Sequence, residues 1–306
     1  MTVELRPPVL EDAAAIADAL NEFNRPVGFD NDSPEEVTVW LKFPSFDLAQ
    51  DVRVAVEGGK IVGYAEAVQL PDDKKLVFGD VRAGPQHADA SVALLDFVEG
   101  RARELASPGG RLRIWTAEGA EEWRQFLESH GFDVQRYSLR MVADLDDEPP
   151  EPSWPEGISV RTQDREEDDR AAYELQCETF ADQGGDHVVE TFEDWLHWVK
   201  RQPFDPGLWF LAFAGDELVG ISLCRSDWAG DDEMGWVSVL GVRRSWRRKG
   251  LGSALLLHSF RELRARGDKR VGLGVRADNA TGAVRVYERA GMRIEGRQVW
   301  YEKAGL

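Results

Sequence analysis

A short basic segment followed by two glycines is the part of this sequence best suited to binding a ligand. Residues 243–249 read RRSWRRK, in a chain whose formal net charge is -19 at pH 7. Gly250 and Gly252 follow, and an apolar pattern typical of a helix comes next. Backbone amides at a helix N-terminus have no internal partner and lie at the positive end of the helix dipole. The segment therefore indicates a site for a small polyanion such as a pyrophosphate.

The two glycines fit this chemistry, because Gly250 and Gly252 carry no side chain that would keep a pyrophosphate away. One Gly-x-Gly pair at a helix start is nevertheless a weak signal, and turn packing is the more common explanation. Two other nucleotide-binding patterns do not fit this sequence. The P-loop sequence is absent, and residues 272–277 fit the dinucleotide spacing only loosely, within an apparent strand.

Two segments together resemble a known family. Residues 242–252 resemble the acyl-CoA signature of the GNAT superfamily of N-acetyltransferases, in which Gln or Arg, two residues, Gly, one residue and Gly hold the coenzyme A pyrophosphate. Residues 278–292 are similar to the family's second signature, with Asn, Ala, Tyr and Gly-Phe in order. Met292 stands where Phe is usual, and the spacing from Asn279 to Tyr287 is one residue longer than the commonest one. Two signatures in the correct order are far more specific than either alone.

The resemblance implies a reaction, in which a neutral amine attacks the thioester carbonyl of acetyl-CoA and the coenzyme A thiolate leaves. Backbone groups of one strand would bind the pantetheine like an added strand, and an amide at Leu240 would stabilise the oxyanion. Tyr287 is the expected general acid, although without the motif a core aromatic would be the ordinary interpretation. The expected acetyl-CoA contacts are Leu240, Gly241, Val242, Arg247, Arg248, Lys249, Gly250, Leu251, Gly252, Ser253, Asn279 and Tyr287.

The resemblance does not supply a general base. GNAT enzymes often have a Glu on the strand six residues before the Val of the first signature, and Trp236 occupies that position here. Asp231, Asp232 and Glu233 lie just upstream, and Ser238 shares a side-chain face with Trp236, so a carboxylate could act through a bound water. We expect Glu233 to be the base, while an acidic hairpin loop explains the same carboxylates equally well.

The elements that position these residues occur twice in the chain, which is the mark of an internal repeat. Each copy has a hairpin turn, a long amphipathic helix and a later helix that ends in His-Gly or Ala-Gly. The corresponding segments are 58–63 and 215–220, 91–95 and 253–257, and 126–132 and 286–292.

The segment between the copies predicts a linker at 146–156, because its prolines and acidic residues cannot continue a helix or a central strand. We expect an α/β (α+β) protein of two tandem GNAT-like domains, 1–145 and 157–306. Each domain should be a mixed, mostly antiparallel sheet flanked by helices. Tandem chains of this length resemble the mycothiol synthase branch in architecture, but the missing strand Glu argues against carrying over its substrate.

The first copy lacks the chemical groups of the second. Alignment of the copies places Asp89 and Ser91 where the second copy has its two signature glycines, and Leu127 where it has its Tyr. An aspartate in that place repels a pyrophosphate, and leucine cannot donate a proton. We therefore expect domain 1–145 to be inactive, serving as a scaffold or as a wall of the acceptor pocket.

Four aromatic residues and two histidines allow two interpretations. Phe192, Trp195, Trp198 and Trp209 fall on and after an amphipathic helix, where they would fill a core or wall an apolar amine pocket. His187 and His197 have no third ligand in register, so we expect no metal site. Gly184 and Gly185 suggest a loop beside the acceptor.

Composition limits the partners and the compartment. The acidic net charge disfavours nucleic acid, and no stretch has the length or apolarity of a membrane span or a secretory signal. Two cysteines, Cys177 and Cys224, are too few for a disulfide framework, so we expect a cytoplasmic monomer or homodimer with reduced thiols. The acceptor amine stays unidentified. A non-catalytic acyl-CoA-binding module and a protein-interaction scaffold remain alternatives to the enzyme.

Overall fold

The structure is a computed structural model, and it describes residues 2–28, 32–69, 73–84, 86–181, 190–226, 231, 233–279 and 281–306. The chain divides into two compact units. Unit 1 comprises Met1–Tyr137, Val188–Asp194 and Arg297–Leu306; unit 2 comprises Ser138–His187 and Trp195–Gly296. Within the described ranges, no helix is long and apolar enough to cross a membrane.

Unit 1 is a mixed sheet with helices packed against it. Its strand order is β1-β2-β3-β4-β5-β12, antiparallel throughout except for the parallel pair β4–β5. The strands are β1 (Glu4–Arg6), β2 (Val52–Glu57), β3 (Lys60–Gln69), β4 (Leu76–Ala83), β5 (Arg111–Ala117) and the end of β12 (Arg293–Ala304). The helices are α1 (Ala13–Asn24), α2 (Pro34–Leu41), α3 (Leu48–Asp51), α4 (Ala88–Leu105) and α5 (Glu121–Ser129).

Unit 2 repeats this arrangement. Its strand order is β6-β11-β10-β9-β8-β7, and β10–β11 is the parallel pair. The strands are the end of β6 (Asp133–Asp144), β7 (Ile158–Thr162), β8 (Trp209–Ala214), β9 (Glu217–Arg225), β10 (Met234–Val242) and β11 (Arg270–Arg276). The helices are α6 (Glu166–Ala181), α7 (Phe192–Val199), which continues from unit 1, α8 (Leu251–Ala265) and α9 (Ala283–Arg289). The predicted class, an α/β fold with mixed, mostly antiparallel strands flanked by helices in each unit, is confirmed.

Each half of the chain gives its last strand to the other unit. Residues 298–304 of β12 pair with β5 in unit 1, and residues 138–144 of β6 pair with β11 in unit 2. In unit 1 the exchanged strand carries a buried ion pair, in which Glu302 Oε2 lies 2.6 Å from Arg113 Nη2. The compact units therefore do not divide at the linker, although the predicted halves 1–145 and 157–306 retain their repeated element order.

The linker lies against the body of unit 2. Arg261 Nη1 of α8 donates to the Pro149 carbonyl at 2.7 Å, and Arg264 Nε donates to the Leu145 carbonyl at 2.9 Å. Trp154 packs against the apolar core beneath α8. The prolines that prevent helix and strand here leave an extended segment that α8 holds in place.

Helices cover both faces of the unit 2 sheet. A Cβ on Gly220 of β9 would come within 2.9 Å of Leu255 on α8, whereas a Cβ on Gly241 of β10 would come within 2.7 Å of Thr179 on α6. The two glycines lie on adjacent strands and face opposite helices. Both allow a helix to approach the sheet closely.

Candidate acyl-CoA site

Strand β10 is bent in the middle by a β-bulge. Val237 pairs with Cys224 and Val239 with Leu223, so Ser238 is an extra residue without a cross-strand partner in this ladder. A bulge bends its strand and increases the local twist. On its other side, β10 pairs with β11 only from Met234 to Trp236, and residues 237–242 continue beyond that ladder.

The bulge also changes which residues face each helix. Before it, Val237 belongs to the core beneath α8; after it, Leu240 and Val242 pack against that same core. Gly241 faces α6 instead. The predicted pantetheine strand, Leu240 to Val242, therefore lies in the part of β10 that has left β11, where a ligand can add to the backbone as a strand would. The sequence pattern alone did not predict the bulge.

The loop after β10 connects this strand to the start of α8. Arg244–Trp246 forms one 3-10 turn, and Arg248 and Gly250 both have positive φ, +61° and +91°. A positive φ is unusual for arginine and ordinary for glycine. Gly250 is the N-cap residue and provides no side-chain cap, and the first backbone bond within the helix runs from the Ala254 amide to the Gly250 carbonyl at 3.0 Å.

Three amides at the start of α8 are consequently left without partners inside the helix. They belong to Leu251, Gly252 and Ser253, which precede the first helical hydrogen bond. Gly252 has ordinary helical backbone, and a Cβ on it would meet Val242 Cγ2 at 3.6 Å, an ordinary contact. The fold itself therefore does not require glycine at 252. The close approach of a ligand to these amides is a reason for it, and an acyl-CoA pyrophosphate fits.

The three predicted cations have different surroundings. Arg247 Nε donates to the Val242 carbonyl at 3.0 Å, and its Nη2 donates to the Thr179 carbonyl at 3.1 Å. This guanidinium joins the end of β10 to the end of α6. Arg248 and Lys249 are exposed, and Lys249 Nζ lies 4.6 Å from the Trp246 ring centroid. Arg247 therefore holds the loop, while Arg248 and Lys249 present charge to solvent beside the amides.

Tyr287 lies on α9 and is buried against the core of unit 2, with 8% of its surface exposed. Burial raises the pKa of its hydroxyl to about 12. No described residue hydrogen-bonds to that hydroxyl. A phenol with this pKa keeps its proton at neutral pH, which is the state a general acid needs. Core packing and proton donation are compatible in this residue.

Asn279 lies in the turn before α9. Its Oδ1 accepts hydrogen bonds from the Thr281 amide at 2.9 Å and from Thr281 Oγ1 at 2.5 Å. The side chain therefore shapes the turn, in an Asx arrangement. Its Nδ2 group donates to no described residue, and it is the part of Asn279 that remains for a ligand.

The carboxylates proposed as general base lie before β10. Glu233 is exposed, and its backbone carbonyl accepts from the amides of Lys269 and Arg270 at 2.8 and 3.0 Å. It precedes Leu240 by seven residues, about 23 Å along an extended chain. Asp231 forms an ion pair with Arg270. Asp232 lies outside the described residues. Glu233 as base stays a prediction, one that needs several bridging waters.

Trp236 occupies the strand position of the family Glu and lies against Gly272 of β11. A Cβ on Gly272 would come within 2.5 Å of the Trp236 ring and of the Met234 side chain. The Arg140 guanidinium lies 5.9 Å from the Trp236 ring centroid. The indole is therefore built into the sheet, and glycine at 272 is the residue that gives it room.

The aromatic cluster is largely core. Trp195 and Trp209 are 1% exposed, and Trp195 Nε1 donates to Gln176 Oε1 at 2.7 Å. Phe192 and Trp198 are half-buried. Gly184, Gly185 and His187 lie outside the described residues, and among the described residues no group of three or more His, Cys, Asp or Glu could hold a metal ion.

Comparison with known proteins agrees with these features. Residues 170–292 match the Acetyltransferase (GNAT) family. Mycothiol acetyltransferase of Streptomyces scabiei is 35% identical over 243 residues, 76% of this chain and 73% of that protein. The protein of the same name from Geodermatophilus obscurus is 31% identical over 307 residues, 96% of each.

Two solved structures share the whole fold. A GCN5-related N-acetyltransferase from Sphaerobacter thermophilus has a TM-score of 0.78 at 30% identity, covering 99% of this chain and 95% of its own. A tandem GNAT protein from the clavulanic acid biosynthesis pathway has a TM-score of 0.76 at 19% identity, covering 100% and 99%. The chain belongs to the GNAT family of acetyltransferases, and it transfers an acetyl group from acetyl-CoA to an amine.

Proposed function

We propose that unit 2 contains the only acetyl-CoA site of this enzyme and that its acceptor is the primary amine of a small molecule. The observation that carries the proposal is the start of α8, where three amides lack helical partners and Gly252 is free of any packing requirement. Arg248 and Lys249 add positive charge there in an otherwise acidic protein.

The site residues act at defined points of the transfer. The amine attacks the thioester carbonyl carbon, negative charge develops on the carbonyl oxygen, and the amide at Leu240 donates a hydrogen bond to that oxygen. The carbon–sulfur bond then breaks, and Tyr287 gives its proton to the departing thiolate. The attacking amine loses one proton in the same sequence, so a proton acceptor must be present.

We propose that this proton passes to solvent and not to a strand carboxylate, because Trp236 stands where the family often has Glu. The acceptor amine is then neutral before it attacks, and the rate rises with the fraction of neutral amine. The indole in turn provides an apolar surface beside β10, which favours an acceptor with an apolar or aromatic part.

The names of the relatives suggest a first acceptor to test. Relatives 31–35% identical over most of the chain are called mycothiol acetyltransferases, so a mycothiol precursor with a free amine is the leading compound. Trp236 is the observation against simple transfer of that substrate. An amine panel should therefore include the precursor beside simpler aliphatic and aromatic amines.

The test is release of coenzyme A thiol from acetyl-CoA across this panel, together with calorimetric titration of acetyl-CoA. We expect one acetyl-CoA per chain and turnover with at least one small amine. Two sites per chain would show that unit 1 also binds acetyl-CoA. The absence of acetyl-CoA binding would contradict the proposal.

The pH dependence tests the proton path. We expect kcat/KM of the wild type to follow the pKa of the acceptor amine alone. Trp236→Glu should introduce a second, lower pKa and raise the rate below neutral pH. A wild-type profile that already contains a carboxylate pKa would contradict solvent as the proton acceptor and return Glu233 to that role.

A further inference from the structure

Unit 2 contains a cavity away from the acyl-CoA site. It has a volume of about 460 Å³ and lies between β7, β8 and α8, with the linker closing one side. Ligand pockets commonly have volumes of about 300–1,000 Å³. Its lining residues are Trp154, Ile158, Val160, Arg161, Thr162, Phe210, His258 and Glu262. On α8, His258 follows Gly252 by six residues, about 9 Å along the helix axis.

The two charged residues of the lining are already paired. Arg161 makes a two-pronged ion pair with Asp168, at 2.7 and 2.6 Å. Glu262 Oε2 accepts a hydrogen bond from Arg266 Nη1 at 3.0 Å. The cavity therefore presents no unbalanced charge, and a neutral occupant suits it better than an ion.

Of the two uncharged polar side chains in the lining, Thr162 and His258, the histidine lies beside the aromatic rings. Its ring lies edge-to-face with Phe210 at 4.6 Å and with Trp154 at 5.7 Å between centroids. Burial lowers its pKa, so the imidazole is neutral at physiological pH and has one donor and one acceptor nitrogen. Neither nitrogen is hydrogen-bonded to a described residue.

Unit 1 has a different residue at the position that corresponds to His258. The buried residues of α4 and α8 match when Ala90 is aligned with Leu251, and this register places Phe97 at the position of His258. The Arg53 guanidinium of β2 lies 4.6 Å from the Phe97 ring centroid and covers it. In unit 1 this helix position is therefore taken by a phenylalanine that packs against an arginine, whereas unit 2 has an imidazole there.

We propose that the cavity binds a small neutral aromatic molecule with one hydrogen-bond donor, such as an indole or a phenol. Trp154 and Phe210 provide the aromatic walls, and His258 accepts the hydrogen bond. This site is separate from the acetyl-CoA site, and its test does not depend on which acceptor the enzyme uses.

The test is an NMR titration of indole into protein labelled with ¹⁵N at histidine. The chain has five histidines, so the spectrum is simple, and a His258→Phe variant assigns the His258 signals. Phe is the residue that unit 1 carries at this position, which keeps the aromatic packing. We expect indole to shift the His258 signals saturably, with a Kd below about 1 mM, while the other histidines stay in place.

Calorimetry with variants and matched probes completes the test. His258→Phe should weaken indole binding at least tenfold, Ile158→Trp should fill the cavity and abolish it, and both variants should bind acetyl-CoA as the wild type does. Benzene, which lacks a donor, and benzylamine, which is a cation, should both bind at least tenfold more weakly than indole. The proposal is overturned by the absence of a saturable His258 shift, by unchanged indole affinity in both variants, or by tighter binding of benzylamine.

Discussion

The starts of α4 in unit 1 and α8 in unit 2 show how one fold can leave backbone amides free for an anion or bond them internally. When the two helices are aligned by their buried residues, Ser91 corresponds to Gly252. The Ser91 amide donates to the His87 carbonyl at 3.0 Å, because α4 begins two residues earlier than α8 in this register. The Gly252 amide has no such partner. Because α4 begins half a turn earlier, the backbone amide at this position is already hydrogen-bonded in unit 1. In unit 2 the same amide remains available to a ligand.

The strands before these helices differ in the same direction. In unit 1, β4 pairs with β3 without interruption from Gly79 to Ala83, and it pairs with β5 over four residues. In unit 2 the bulge at Ser238 interrupts β10, and the pairing with β11 ends after three residues. The residues of β4 after Gly79 also continue beyond the β5 ladder, so the difference between the two strands is the bulge at Ser238. Together with the late helix start, this bulge supports unit 2 as the candidate site.

The ends of α5 and α9 are alike in backbone and differ in one side chain. The Phe132 amide donates to the Leu127 carbonyl at 3.2 Å, and the Met292 amide donates to the Tyr287 carbonyl at 3.0 Å. Leu127 and Tyr287 thus occupy equivalent places, and only Tyr287 has a proton to give. Each of these candidate site residues in unit 2 therefore has a structural counterpart in unit 1 with which it can be compared.

Removing the hydroxyl of Tyr287 should have the largest effect. Tyr287→Phe keeps the ring in the core and takes away the general acid, so we expect kcat to fall about 100- to 10,000-fold. The Kd for acetyl-CoA should stay within about threefold of wild type, because no contact that holds the pyrophosphate is lost. Thiol release in steady state and calorimetry measure the two quantities.

Tyr301→Phe is the matched control for this variant. Tyr301 is a buried tyrosine of unit 1 whose hydroxyl donates to Glu128 Oε1 at 2.7 Å and accepts from Arg124. Its loss should affect stability and leave kcat unchanged. A Tyr287→Phe enzyme as active as Tyr301→Phe would assign Tyr287 to the core alone.

The exchanged strand makes unit 1 depend on the end of the chain. Glu302→Ala removes the carboxylate that lies 2.6 Å from the buried Arg113, and loss of one partner of a buried ion pair costs about 3–5 kcal/mol. In unit 2 the ladder positions of this pair are taken by Gly272 and Val142, so no equivalent ion pair exists there. Urea unfolding monitored by circular dichroism should show the loss.

Asp144→Ala provides the comparison on the other exchanged strand. Asp144 pairs with Arg293 at 2.8 Å, and both side chains are about half exposed, at 52% and 55%. An exposed pair of this kind contributes about 0–1 kcal/mol. Equal destabilisation by the two substitutions would contradict a special role for the buried pair in unit 1.

An acidic residue in the first turn of α8, like Asp89 in the first turn of α4, should abolish the acyl-CoA site. Gly252→Asp places a carboxylate among the first-turn amides, where it is compatible with the helix dipole and repels a pyrophosphate. We expect acetyl-CoA affinity to fall about 100-fold or more, about 2.7 kcal/mol, with the melting temperature unchanged. Calorimetric titration and thermal unfolding measure these.

The reverse substitution sharpens the same point. Ser91→Gly restores a glycine in unit 1, yet the amide at 91 is still bonded to the His87 carbonyl. We expect no second acetyl-CoA site. A gain of binding in this variant would show that the side chain, and not the helix start, had closed unit 1.

Local sequence patterns predicted those candidate site residues whose positions depend on local geometry. Gly250, Gly252 and Tyr287 fall on a loop and two helix segments, and each is placed by its neighbours within a few residues. Nothing in RRSWRRK distinguishes Arg247 from Arg248, because the carbonyl of Thr179 that holds Arg247 lies 68 residues away. The bulge at Ser238 likewise becomes visible only when β9 is paired with β10.

Local sequence patterns could not predict that the last strands are exchanged. β6 and β12 are equivalent strands of the repeat, and the unit that each joins depends on partners more than 120 residues away, such as Arg113 for Glu302. The repeat predicted that the two units have the same arrangement of strands, which the structure confirms. It did not predict which copy of the last strand completes which sheet.

A buried carboxyl of unit 1 has no counterpart at the same strand position of unit 2. Burial, assisted by the nearby charge of Asp80, raises the pKa of Glu66 to about 8, and Glu66 accepts hydrogen bonds from Trp40 Nε1 and the Tyr64 hydroxyl. The corresponding residue of β9, by strand pairing, is the apolar Leu223.

The sign of the pH effect follows from this raised pKa. The folded protein holds the Glu66 proton more tightly than the unfolded chain, whose pKa is about 4.5, so the free energy of unfolding falls as the pH rises from about 4.5 to 8. The slope for one such group is at most about 1.4 kcal/mol per pH unit. Glu190, with a pKa raised to about 7 by burial, adds to this pH dependence.

Glu66→Gln keeps an acceptor for Trp40 and Tyr64 and removes the titration. Urea unfolding at pH 5, 6, 7 and 8 should therefore show a shallower decline of the free energy of unfolding than in wild type. An unchanged slope would mean that Glu66 stays ionised in the folded protein, and that unit 1 tolerates a buried charge where unit 2 has only leucine.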